Sequence, residues 1–205
     1  DTIYHEHLDY HALFPLSKFI KKNKLFLFNY KLTKAQGGSI RIYVTKKFNK
    51  KYQKKIKMQI SKEKINLKLF REKTYKTYEN KILNCKAQLK IYLNKFLKNN
   101  FTIAGYGAAA KTTTFLSYFD LSKSQAIKFI LDDNKLKQNL YLPGTKIKII
   151  SPKIISRKKI DVLVIFAWNY SDIIINKINK NKNFVKNNGK FLIPFPKPKI
   201  INAKK

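Results

Sequence analysis

The apolar positions of this chain change their period along its length. Leu8, Ala12, Leu16, Phe19 and Ile20 recur at helical spacing, with Pro15 interrupting that helix or starting a turn. Residues 25–30 and 39–44 are compact apolar runs rich in aromatic and β-branched side chains, which predicts two strands. The segment 31–38 between them ends in Gly37-Gly38, so the pair reads as a hairpin. Residues 47–100 contain neither Gly nor Pro, which favours helix. A short helix is expected over 50–60. A longer one follows, seamed by Tyr75, Tyr78, Ile82, Cys85, Leu89, Tyr92 and Phe96 at three- and four-residue steps, and Asn99-Asn100 ends it. From 101 onward strand and helix alternate. Strands are predicted over 101–104, 126–131, 145–150, 161–167 and 190–194, and helices over 109–119, 151–156 and 171–185, with Gly189 as a helix C-cap turn. Continuously apolar strands separated by helices imply a parallel sheet covered on both faces, hence an α/β, Rossmann-like unit.

Ligands of such sheets bind beyond the strand C-termini. Four segments fall at those ends: Gly105 to Thr114, Asp132-Asp133-Asn134, Trp168-Asn169 and Pro194-Phe195-Pro196. The first is the most informative. A strand running into Gly105-Tyr106-Gly107 and then a helix start aims free backbone N–H groups at one point, at the positive end of the helix dipole. Lys111 adds a mobile cation, and Thr112 a hydroxyl. Gly105, Gly107 and Ala110 complete a G-x-G-x-x-G/A pattern, with Asp132 and Asp133 as ribose acceptors. The P-loop pattern fits less well, because Ala110 puts a methyl where its second glycine belongs. A tight βα turn that binds nothing is the plain alternative.

Charge alters this picture less than its size suggests. The 205 residues carry 45 Lys and Arg against 11 Asp and Glu, a formal net charge of +34. Only Arg41, Arg71 and Arg157 are arginines, and the lysines are spread among abundant Asn, Ile, Tyr and Phe. Nucleic-acid surfaces lean on Arg for bidentate contacts, so the charge reads as compositional drift and no specific nucleic-acid partner is expected. The lone Cys85 excludes an internal disulfide and a thiolate-based zinc site, and no run approaches a membrane span. A soluble, cytoplasmic protein without a membrane partner is the expectation. The chain opens on Asp1 and its one methionine is Met58, so it reads as a fragment of a longer protein. Its oligomeric state is not legible.

All three histidines lie in Tyr4-His5-Glu6-His7-Leu8-Asp9-Tyr10-His11. An imidazole exchanges a proton near neutral pH, and a neighbouring carboxylate or phenol orients it. His7 and His11 would share a helix face, with Glu6 or Asp9 as an oxygen donor, but no further ligand pair follows, so no metal is assigned to this chain. Ordinary surface histidines remain the alternative.

Taken together, these segments resemble the C-terminal half of S-adenosylmethionine-dependent sugar C-methyltransferases. The likeness runs through Asp1 to Leu8, through Gly37-Gly38-Ser39-Ile40-Arg41-Ile42-Tyr43, and through Gly105 to Lys111. It continues from Asp132-Asp133-Asn134 through Lys137-Gln138 to Leu142-Pro143-Gly144-Thr145, and then Ala167-Trp168-Asn169-Tyr170. The resemblance implies three parts. Residues 1–46 would end a class I methyltransferase domain with its terminal β-hairpin, 47–100 would be a helical linker, and 101–205 a Rossmann-like domain binding nucleotide sugar. S-adenosylmethionine and a zinc ion would be bound by N-terminal parts outside this chain, leaving this fragment inactive alone. No residue here is assigned to the cofactor. By similarity to the family's Tyr-His-Glu-His motif, His7 would be the base that makes an enolate beside a ketone, helped by Tyr4, His5 and Glu6. Gly105, Tyr106, Gly107, Lys111, Thr112, Asp132, Asn134, Trp168 and Asn169 would hold a TDP-keto-sugar-like substrate. Two departures are visible. Gln36 stands where the family commonly has His, and Thr112-Thr113 replace a smaller residue after the lysine. The competing reading is an NAD(P)-binding Rossmann oxidoreductase domain, which lacks a convincing catalytic group after the glycine loop.

Overall fold

The computed structural model describes residues 9–35 and 38–204. It contains two compact units, within 4–80 and 81–205, whose boundary falls inside the long helix α3 (Glu72–Lys98). In the first unit, α1 (Leu13–Lys22) leads to β1 (Phe26–Thr33) and β2 (Ser39–Thr45), then α2 (Gln53–Ser61) and a π-helical turn at Lys62–Asn66. Helix α1 starts at Leu13, after four non-helical residues, and Leu8 lies outside the described residues. Pro15 lies in its first turn, where a missing N–H costs nothing. Strands β1 and β2 pair antiparallel. Leu13, Ile20, Leu27 and Ile56 form the buried centre of this unit, so α2 packs with α1 and the hairpin in one small core. The chain then turns without any Gly or Pro: Lys68 takes a left-handed conformation at φ 49° ahead of α3.

The second unit is a six-stranded sheet in the order β5–β4–β3–β6–β7–β8. The strands are β3 (Ile103–Tyr106), β4 (Phe129–Leu131), β5 (Lys148–Ile150), β6 (Val162–Ile165), β7 (Lys190–Ile193) and β8 (Lys199–Asn202). All neighbours are parallel except β7 and β8. Strand side chains alternate between two covered faces. Ile103, Ile130, Val162 and Val164 pack with Cys85, Leu89, Leu93 and Phe96 of α3 and with Phe115 and Leu116 of α4 (Ala110–Tyr118). Ala104, Tyr106, Leu163 and Ile165 pack on the other face. Their partners are Ile174 and Ile178 of α5 (Ser171–Asn179) and Phe184 of α6 (Lys182–Lys186). This is the α/β, mostly parallel architecture that the pattern of apolar strands predicts.

Several details differ from the sequence expectation, each for a local reason. Residues Pro152–Ser156 form a 3-10 turn, with Pro152 at its start and the Ser151 hydroxyl accepting the Lys153 N–H. The helix expected over 171–185 is two helices, because the Asn181 side chain accepts the Phe184 N–H at 3.1 Å and caps a new start. Asn188, not Gly189, takes the left-handed position after α6, at φ 53°. Gly189 is required by packing instead, since a Cβ there would lie 2.5 Å from the Phe184 ring. Strand β8 was not expected: its apolar content is Ile200-Ile201 alone, and it forms only as an antiparallel edge on β7. Along the α3 seam, Tyr75 is exposed and donates its hydroxyl to the Leu69 carbonyl at 2.6 Å. Cys85 is core filler: burial pushes its thiol up to about 11, and it donates to the Pro194 carbonyl.

Candidate functional site

The chain leaves β3, runs out through β4 and β5, and returns to β6 on the other side of β3. The β3–β6 boundary is therefore where the direction of winding reverses, and in open α/β sheets a crevice opens there. The loop after β3 and the 3-10 turn Trp168–Tyr170 after β6 meet at that point. Gly107 allows them to do so. Its φ of +97° is left-handed, and a Cβ on it would lie 2.9 Å from the Ala167 methyl. Gly105 is buried within β3, where a side chain would collide with Phe166 at 2.7 Å and Ile130 at 2.9 Å. Both glycines thus bring elements close together, and they shape the loop whether or not a ligand is present.

The loop's backbone donors are partly committed. Gly107 N–H bonds the Leu131 carbonyl at 2.8 Å, Ala108 N–H bonds Asp132 Oδ2 at 2.7 Å, and Ala109 N–H reaches Thr112 Oγ1 at 3.3 Å. Thr112 is fully buried, and its hydroxyl donates to the Gly107 carbonyl at 2.8 Å, so it braces the loop from inside. The N–H groups of Ala110 and Lys111, in the first turn of α4, have no partner among the described residues. They lie at the positive end of the helix. Beside them, the Lys111 ammonium stands 5.0 Å above the Trp168 ring and has no carboxylate partner among the described residues. Burial holds its pKa below the usual lysine value. Trp168 is itself wedged between Phe115 and Phe195, each with its ring 5.6 Å away. A cation fixed over an indole, next to two open amides, is a place for an anion.

Asp132 serves the fold. Its Oδ2 takes the Ala108 N–H, its Oδ1 takes the Asn134 N–H at 2.8 Å, and Gln138 clamps its carbonyl at 2.9 Å. Lys137 reaches the Ala108 carbonyl at 2.8 Å and comes within 3.9 Å of Asp132. Asn134 is exposed and accepts the Leu136 N–H, and Asn169 is exposed on the 3-10 turn. On the other face of the sheet, Tyr106 donates to Asp133 Oδ2 at 2.6 Å, and Lys177 of α5 pairs with Asp133 Oδ1 and with the Tyr106 hydroxyl. Burial, reinforced by the Asp133 bond, pushes the Tyr106 phenol up to about 12. Burial alone would raise Asp133 as well, but the hydrogen bonds from Lys177 and Tyr106 outweigh it and hold that carboxyl below its usual range. Every carboxylate oxygen of Asp132 and Asp133 therefore already has a donor, which is a poor start for gripping a cofactor ribose.

The structure thus brings Gly107, Lys111, Thr112, Asp132 and Trp168 together and gives Tyr106 a separate hydrogen-bonded cluster. Tyr4, His5, Glu6 and His7 lie outside the described residues, as do Gln36 and Gly37. Sequence reasoning quoted Lys137-Gln138 only as part of the family likeness and missed Lys177 altogether. In so lysine-rich a chain nothing else marks a particular lysine. The scarce acids were the usable signal, since Asp132 and Asp133 each draw a lysine to them. Among the described residues no group of three or more His, Cys, Asp or Glu could hold a metal ion, and no helix is long and apolar enough to cross a membrane.

A model of the C-methyltransferase C-terminal domain matches residues 34–196, which includes the hairpin's second strand, the glycine loop and the Trp168 turn. The C-methyltransferase NovU of Streptomyces niveus is 29% identical over 203 residues, covering 99% of this chain and 47% of that protein. The chain thus spans about half the length of the curated relative it matches. With the family's model covering most of its length, this chain belongs to the C-methyltransferase C-terminal domain family.

Proposed function

We propose that this chain is the substrate-holding, C-terminal part of an S-adenosylmethionine-dependent enzyme that methylates a carbon of a nucleotide-linked keto-sugar. The observation that carries the reading is the similarity along 99% of the chain to a C-methyltransferase. Its substrate side rests on Lys111, the two open amides of α4 and the Trp168 ring at the crevice. In this reading the diphosphate of the substrate sits at those amides, where Lys111 neutralises it. Gly105, Gly107, Thr112, Asp132 and Tyr106 keep the loop in shape, and the exposed Asn134 and Asn169 are the polar groups offered to the sugar.

Methylating carbon requires a carbanion-like centre. His7 removes the proton beside the ketone, Glu6 and Tyr4 orient the imidazole or the sugar, and His5 supports them. The cofactor supplies an electrophilic methyl group. The described residues do not fit that cofactor: both acids at the end of β4 are engaged, so we place its site, and the family's zinc site, elsewhere. For the same reason an NAD-dependent oxidoreductase is the poorer reading. The partner of this protein is a small molecule rather than nucleic acid or membrane, and the enzyme works in the cytoplasm.

The test is methyl transfer by the full-length protein, given methyl-labelled S-adenosylmethionine and a TDP-linked 4-keto-sugar. Label is expected on a ring carbon next to the ketone. Label on oxygen or nitrogen, or none on any keto-sugar nucleotide, would contradict the proposal.

A further inference from the structure

Counted from β3 in chain order, the sheet β5–β4–β3–β6–β7–β8 runs third, second, first, fourth, fifth, sixth. That is the strand order of dinucleotide-binding sheets, and Gly105, Gly107 and Ala110 stand where their glycine fingerprint stands. In those sheets an acid about 20 residues further on, at the end of the second strand, accepts the adenosine ribose 2′-hydroxyl. Asp133 holds that place here. It lies just past β4, 27 residues beyond Tyr106 of the glycine turn. The pattern is nearly complete, and the difference lies in what already occupies the acid.

Tyr106 is the residue between the two glycines. It pairs in register with Leu131, and both side chains join the core against Ile174 and Ile178 of α5. Asp133, two residues after Leu131, meets Tyr106 on that side. The Tyr106 hydroxyl donates to Asp133 Oδ2 at 2.6 Å, while Lys177 Nζ donates to Oδ1 and, at 3.1 Å, to the Tyr106 hydroxyl. Tyr106 is 4% exposed, and burial pushes its pKa up to about 12, so it keeps the proton it donates. The Asp133 and Lys177 side chains stay 59% and 49% exposed. The carboxylate is therefore occupied at the surface, where a ribose could reach it, and not sealed in the core. A ribose hydroxyl would have to replace a charge-assisted bond from an ammonium with a weaker neutral donor. The deoxyribose of a thymidine nucleotide has no 2′-hydroxyl and makes no such demand.

We infer that Lys177 and Tyr106 are specificity-determining residues. By occupying Asp133 they close the ribose-acceptor position to adenine dinucleotides, and they leave the phosphate cradle at Lys111 open to a nucleotide sugar. The inference deepens the proposed function and rests on it for that cradle.

Titration calorimetry of the full-length protein tests it with ADP-ribose, NADP and a TDP-linked keto-sugar, S-adenosylhomocysteine being added to fill the methyl-donor site. Lys177→Met is expected to tighten ADP-ribose binding by about 10- to 100-fold over wild type, the worth of a hydrogen bond to a freed carboxylate. Adding Tyr106→Phe, which keeps the buried ring, should increase the gain, and adding Asp133→Ala to Lys177→Met should cancel it. NADP should gain nothing, because its 2′-phosphate would meet the freed carboxylate. If the variant carrying Tyr106→Phe fails to fold, Lys177→Met with and without Asp133→Ala decides by the same criteria. Unchanged ADP-ribose affinity in Lys177→Met, or a gain that survives Asp133→Ala, overturns this inference alone, provided the wild type binds the nucleotide sugar. NADP binding by the wild type that is lost with Lys177 also overturns it, since Lys177 would then be a ligand for the 2′-phosphate. A wild-type protein that binds no nucleotide sugar sinks the reading of the site and this inference with it.

Discussion

Replacing His7 by Asn in the full-length enzyme is expected to lower methyl transfer by about 10²–10⁴-fold, the usual contribution of a positioned general base. Asn keeps much of the shape and hydrogen-bonding capacity of the imidazole but cannot accept a proton at neutral pH. The loss should therefore appear in kcat, with substrate affinity nearly intact, since the proposed function puts the nucleotide at the glycine loop and not at the imidazole. Exchange of the substrate's ring proton with solvent deuterium, in the absence of methyl transfer, should disappear in the same variant. Of the three histidines, His7 is singled out by the likeness of Tyr4-His5-Glu6-His7 to the family's motif. Unchanged turnover or unchanged exchange would remove it from the mechanism and leave the phosphate cradle standing by itself.

Lys111→Met is expected to weaken nucleotide-sugar binding by about 10- to 100-fold, the loss of one charge-assisted hydrogen bond to phosphate. The same change should leave the unliganded protein as stable or make it more so. Lys111 is partly buried, its pKa is lowered by that burial, and no carboxylate partners it among the described residues, so in the free protein its charge is a cost. Opposite signs for affinity and stability are what a residue kept for a ligand should show. The pH dependence has a defined direction. Binding needs the protonated amine, so affinity falls as pH rises through the pKa of Lys111, and the fall begins below the pH at which an ordinary lysine discharges. Titration calorimetry across that range, with thermal melts of the free proteins, checks both statements. A variant that loses stability as much as affinity would instead make Lys111 part of the scaffold.

The strands of the Rossmann-like unit were legible because each is an apolar run bounded by turn chemistry, and the covered parallel sheet follows from that pattern. Edges were less so. Strand β8 has two apolar residues and depends on β7 for its existence, and the break after Lys180 depends on one asparagine cap. The glycine loop was visible as a motif, but its meaning changed on folding. Gly105 proves to be demanded by Phe166, which lies far along the chain, and Gly189 by the ring of Phe184, which folds back over it from the preceding helix.

Charge was the least readable layer. Forty-five cations obscure the few that have assigned places: the glycine motif marks Lys111 and the family likeness covers Lys137, but only geometry separates Lys177 from the rest. The eleven acids were the better guide. Glu63, Asp132, Asp133 and Asp161 each hold a backbone amide or a buried hydroxyl, Asp161 accepting the Thr102 N–H at 2.8 Å. In a chain drifting towards lysine, these four carboxylates stand where the fold needs an acceptor.

The most direct measurement is an amide spectrum of the protein, with residues 107–113 assigned, titrated separately with a TDP-linked keto-sugar and with NAD. The account predicts large shifts at the Ala110 and Lys111 amides with the nucleotide sugar, weakening with added salt, and none with NAD at the same concentration. Shifts produced by NAD instead, or nucleotide-sugar shifts that bypass this loop, would contradict it.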